Sequence, residues 1–143
     1  AYIVSHGKHM QAMKKKLLGM IVHADTLAQA AAKAALTNGH SWLHRLMTHL
    51  KQMRDYGIER LLTIPGIECP VPQATPFLFP NIASFGMTSQ DMTEYLKENA
   101  KVVVHNGAAY GPPGEGYIRM NVCTAYPVLK EAFDRIEKAL MKI

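Results

Sequence analysis

The sequence is short of most features that announce a special class. Two cysteines among 143 residues, Cys69 and Cys123, cannot build a disulfide framework. Free thiols suit a reducing interior, so the chain is read as cytoplasmic. No apolar run reaches the roughly 20 residues of a membrane span, and no secretory signal pattern opens the chain; no membrane partner is expected. H-E-x-x-H, G-x-S-x-G, P-loop and dinucleotide fingerprints are all missing. His40, His44 and His49 have no cysteine or carboxylate at ligand spacing, so no metal site is predicted. Acidic residues are fewer than basic ones, giving a net charge of +5. The basic residues are nonetheless scattered, with Lys14, Lys15 and Lys16 as the only run, and no aromatics interleave with them; no nucleic-acid partner is expected.

What is present is ordinary globular composition, 48% apolar and 19% charged. A chain of this length is one domain's worth and buries roughly 68–70% of its unfolded surface. Ala1 to Val4 reads as a short apolar strand. Lys8 to Leu18 reads as a helix on Met10, Met13, Leu17 and Leu18. Thr26 to Leu36 is an alanine-dense helix closed by Asn38-Gly39. Ser41 is the expected cap of a longer helix to about Leu62, with Leu43, Leu46, Met47, Leu50, Met53 and Ile58 on its apolar side.

After Ile64-Pro65-Gly66 the texture changes. Ile67–Cys69, Thr75–Phe79, Lys101–His105 and Tyr117–Val122 read as strands, and Pro70, Pro72, Pro76 and Pro80 put at least one of them at an edge. Thr88-Ser-Gln-Asp91 resembles a capping box opening a helix to Asn99. Pro127 sits in the first turn of a final helix whose core stripe is Val128, Leu129, Ala132, Ile136, Ala139 and Leu140. The expected class is α+β, a small antiparallel or mixed sheet covered by helices. Residues 1 to 40 precede it and read as a piece of something else.

Asn106 to Val122, "NGAAYGPPGEGYIRMNV", holds four glycines, two prolines and one arginine. The glycines and prolines allow either an elaborate hairpin turn or a tight path that a ligand can approach. Alternation places Tyr117, Arg119 and Asn121 on one face, with Ile118, Met120 and Val122 on the other. A guanidinium there suits a carboxylate. From chemistry alone, a salt bridge to Glu115 or to a helix carboxylate stands beside an anion-binding site.

The stretch "VVVHNGAAYGPPGEGYIRMNVCTAYPVLKEAFDRIEKAL" resembles the carboxy-terminal end of fold-type I pyridoxal-phosphate-dependent aminotransferases of class I/II, in which a strand leads into a "PGxxFGxxGEGYIR" segment. "TLAQAAAKAALTNGHSWL" is similar to the helix pair before that family's small domain. "RDYGIERLLTIPGIECPVPQATPFLFPNI" is similar to its long connecting helix and first small-domain strands, and "AYIVS" to the strand after the cofactor-lysine segment. The resemblance implies that residues 1–40 are the tail of the large domain and 41–143 the small domain. It implies that Arg119 holds the substrate α-carboxylate and that Tyr110, at the loop's aromatic position, lines the pocket.

It also places the Schiff-base lysine, the phosphate-binding arginine and the ring-contacting residues outside this sequence. Lys8, Lys33 and Lys101 do not sit in the lysine motif, so no catalytic and no cofactor-binding residue is assigned. Pyridoxal 5'-phosphate is implied for the intact enzyme and not expected on this stretch alone, which is expected to be inactive. The implied partners are amino-acid and 2-oxo-acid substrates, the large domain and a second subunit of a homodimer. Two other readings stay open. One is a carbon–sulfur lyase of the cystathionine type, whose "GxxWL" helix start resembles Gly39–Leu43; the other is a freestanding α+β binding module using Arg119.

Overall fold

Secondary structure here follows from a few end signals, read in a computed structural model that describes residues 5–17 and 24–143. The expected strand at residues 1–4 and the end of the first helix at Leu18 lie outside the described residues. The chain divides into two units, Ala1–His44 and Arg45–Ile143.

The first unit contains α1 (Gly7–Leu17), α2 (Thr26–Asn38) and the start of α3 (His40–Leu62). Asp25 caps α2, its carboxylate accepting the Ala28 N–H at 3.0 Å. Gly39 closes α2 by donating its N–H to the Ala35 carbonyl at 3.0 Å, and its own carbonyl accepts the Leu43 N–H at 2.9 Å. One glycine therefore ends α2 and leads into α3, and a Cβ there would strike the Ala35 carbonyl. Ser41 accordingly lies inside the first turn of α3 rather than capping it. Neither α1 nor α2 buries a residue.

The second unit carries the core. α3 buries Met53, Gly57, Ile58 and Leu61, while Leu43 and Met47, placed by periodicity on its apolar side, are exposed. Gly57 is small for a reason: a Cβ would come within 2.8 Å of Leu78 Cδ1 and 3.3 Å of Phe133 Cζ. α3 thus lies close against the first strand and the last helix. The strands are β1 (Phe77–Leu78), β2 (His105–Asn106) and β3 (Ile118–Asn121), in the order β1-β3-β2 with both pairings antiparallel. α4 (Ser89–Asn99) and α5 (Tyr126–Leu140) complete the unit. The architecture is the expected α+β arrangement.

The strands are shorter than their apolar patterns suggest. Ile67–Cys69 forms no strand; Glu68 makes a single antiparallel bridge to Asn81. Lys101–Val104 forms none either, because Lys101 takes a left-handed φ of 55° that turns the chain out of α4 before pairing begins at His105. In α5, Leu129, Ile136, Ala139 and Leu140 are buried as expected, but Val128 is exposed, and Phe133 fills the centre of the stripe instead. No helix among the described residues is long and apolar enough to cross a membrane.

Candidate functional site

β3 alternates as its sequence requires. Ile118, Met120 and Val122 are buried at 2%, 6% and 0% exposure, which turns Tyr117, Arg119 and Asn121 to the other face. The neighbouring strands bring their own residues to that face. His105 lies directly opposite Arg119, and Phe77 directly opposite Asn121.

The Arg119 guanidinium carbon sits 4.4 Å from the centroid of the Phe77 ring and 4.6 Å from that of Tyr110. Two aromatic faces thus hold one planar cation. Phe79 continues the aromatic surface, with its ring edge-on to Tyr110 at 6.3 Å and stacked on Tyr117 at 5.3 Å. Arg119 makes no salt bridge among the described residues, and its buried Nε has no hydrogen-bond partner. Glu115, the nearest carboxylate in sequence, is engaged elsewhere: it accepts the Ser89 N–H at 2.8 Å. The salt bridge to Glu115 is therefore not formed.

The glycine-rich loop is not a plain hairpin turn. It is two 3-10 turns, Gly107–Tyr110 and Pro112–Gly114, whose backbones cross. A Cβ on Gly107 would run into the Gly114 and Tyr117 carbonyls, and one on Gly114 into the Gly107 carbonyl. Gly111 and Gly116 have φ of 116° and 81°, where a side chain is strained. Asn106 accepts the Ala108 N–H at 2.8 Å and starts the first turn. This path delivers Tyr110 to Arg119.

No family profile matches the chain. An aspartate aminotransferase of Pyrococcus horikoshii is 35% identical over 141 residues, an alignment covering 97% of this chain and 36% of that protein. The solved alanine aminotransferase from Pyrococcus furiosus superimposes with a TM-score of 0.86 at 31% identity, over 95% of this chain and 35% of the other. A cystathionine beta-lyase of Bacillus subtilis is 26% identical over 117 residues, covering 81% of this chain and 30% of that protein. Over nearly its whole length the chain is thus similar to pyridoxal-phosphate-dependent aminotransferases in sequence and in fold. It corresponds to the carboxy-terminal part of an aminotransferase of that type and spans about a third of the length of the curated relatives it matches.

The side chains gathered around Arg119 fit one part of such an enzyme and not another. A guanidinium, two rings and an imidazole suit a carboxylate. They include neither a lysine to hold the cofactor covalently nor an aspartate for its pyridine nitrogen, so pyridoxal phosphate does not fit this group of residues alone. Sequence reasoning missed Phe77 and His105, although alternation within "TPFLFP" and "VVVHN" was the available signal. It also missed Ser89, whose partners lie 25 to 28 residues away and leave no local pattern.

Proposed function

We propose that the whole protein is a pyridoxal-phosphate-dependent aminotransferase that moves an amino group between an amino acid and a 2-oxo acid. Residues 1–40 would belong to its large domain and 41–143 to its small domain, in a homodimer. A cytoplasmic location suits the two free thiols. The cofactor-binding lysine would lie on a segment outside these 143 residues, so the chain by itself would not transfer amino groups. The cofactor, when bound, supplies an electron sink for the substrate carbanion.

Within that enzyme Arg119 binds the substrate α-carboxylate, and Tyr110 lines the pocket beside it. The observation that carries this reading is the guanidinium held between Phe77 and Tyr110 with no carboxylate of its own among the described residues. A guanidinium with no ion pair of its own can make two parallel bonds to a carboxylate. A substrate held at that end has its Cα–H bond fixed in direction, which lowers the entropic part of the barrier.

In the complete protein, Arg119→Lys keeps the charge but loses the fork. One charge-assisted bond is worth about 1.5–3 kcal/mol, so kcat/KM for the amino donor should fall about 10- to 100-fold. Unchanged kinetics would sink the carboxylate role. The isolated chain given pyridoxal phosphate should show no amino transfer, and measurable turnover would refute the expected inactivity. The cystathionine beta-lyase relative favours a second reading, carbon–sulfur cleavage, at lower identity. Pyruvate release from cystathionine exceeding amino transfer to 2-oxoglutarate would select it.

A further inference from the structure

Ser89, the first residue of α4, is fully buried at 0% exposure. Its hydroxyl oxygen accepts the Gly116 N–H at 2.8 Å and the Tyr117 N–H at 3.2 Å, and its O–H points to the Gly114 carbonyl at 3.4 Å. Its own N–H donates to Glu115 Oε1 at 2.8 Å. From the next residue of α4, Gln90 Oε1 accepts the Asn106 Nδ2–H at 2.9 Å. The first turn of α4 is therefore stitched to both ends of the glycine-rich loop. The hydroxyl is the acceptor for the Gly116 N–H and shares the Tyr117 N–H with the Gly114 carbonyl, to which that N–H also donates at 3.2 Å.

The location of these bonds matters more than their number. Gly116 and Tyr117 are the last residues before β3, which then runs extended to Arg119. An extended backbone transmits position faithfully, at about 3.3 Å per residue. Where Tyr117 is pinned thus decides where the guanidinium stands, while Gly114 lies at the backbone crossing that steers Tyr110. Fixing the α4 end of the loop therefore fixes both Arg119 and one of the rings that carries it.

We propose that Ser89 and Glu115 are positioning residues for the substrate carboxylate, acting through Arg119. This rests on the carboxylate role argued above for Arg119. A displacement of about 1 Å at a positioning group can cost about 100-fold in rate. Ser89→Ala, which frees the loop from one side, should lower kcat/KM about tenfold, and Glu115→Ala should act in the same direction. Glu115→Gln retains an oxygen acceptor for the Ser89 N–H and should restore most of the activity.

The deciding experiment is a double-mutant cycle in the complete protein, with amino transfer to 2-oxoglutarate from L-aspartate or L-alanine, whichever is turned over faster. If Ser89 works through Arg119, adding S89A to R119K lowers kcat/KM little beyond R119K alone. If the two losses multiply, Ser89 serves folding only and the proposal is overturned while Arg119 keeps its role. If R119K alone has no effect, the carboxylate role of Arg119 is what failed. Should S89A not fold, the same cycle run with E115A and R119K decides the question, with E115Q as the rescue.

Discussion

An arginine in the middle of a strand of Tyr117, Ile118, Met120 and Val122 is explained by where its face points and what lies on its flanks. Alternation alone turns Arg119 away from the core, and the burial of Ile118, Met120 and Val122 agrees with it. The guanidinium's neighbours were not legible, because Phe77 and Tyr110 come from a different strand and from a turn whose path depends on backbone crossings. Phe77 gives a test separate from the charge itself. A cation–π contact is worth about 0.5–2 kcal/mol, so Phe77→Leu in the complete protein should raise KM for the amino donor by about 2- to 30-fold. Turnover should change less, since the carboxylate fork survives. A KM that does not move would mean that the ring is packing and not support. Glu115 shows the opposite case: sequence proximity offered it as an ion partner, and tertiary geometry gave its carboxylate to the Ser89 N–H instead.

Among the elements, helices were read more closely than strands, and the reason is physical. Helix ends carry local signals such as Gly39, Thr88 and Pro127, whereas a strand exists only where a partner pairs with it. Val102 to Val104 has the composition of a strand, yet Lys101 breaks the approach with a positive φ. That backbone position favours glycine, so Lys101→Gly should raise stability by about 1 kcal/mol, as measured by chemical denaturation. The loop responds in the other direction. Gly107→Ala or Gly114→Ala forces a Cβ onto backbone that cannot swing aside, and each should cost more than about 2 kcal/mol.

The α3–α5 ion network adds a pH dependence. Arg60 meets Asp134 at 2.9 Å and Glu137 at 2.6 Å, and Lys130 meets Asp134 at 2.6 Å. Lys130, and after it Arg60, hold the Asp134 carboxyl below the ordinary carboxylate range. A depressed folded-state value contributes stability above the unfolded value of about 3.9, and loses it as pH falls through the lower folded value. The stability gap between the wild type and Asp134→Asn should therefore be present at neutral pH and close below about pH 4. A gap that widens on acidification would contradict the assignment.

At the scale of the whole molecule, the two units differ in what holds them. Among the described residues, the hydrophobic core runs from Met53 to Leu140, all within Arg45–Ile143. The sheet, the Arg60 network and the Ser89 contacts lie in that unit as well. In Ala1–His44, α1 and α2 bury no residue, and Leu27 and Leu36 are exposed at 79% and 59%. The alanine-dense sequence of α2 suggested a helix packed against other backbone, and on this chain alone it has no buried side. Folding free energy that comes mainly from apolar burial should therefore reside in the second unit. Truncation to residues 45–143 should leave a cooperatively unfolding domain whose stability lies within about 1 kcal/mol of the full chain, read from urea denaturation followed by circular dichroism. The slope of that transition should stay close to the full chain's, because it scales with surface newly exposed on unfolding and the first unit exposes little more. A truncated chain that is unfolded in water, or that loses several kcal/mol, would show that residues 1–44 support the core after all.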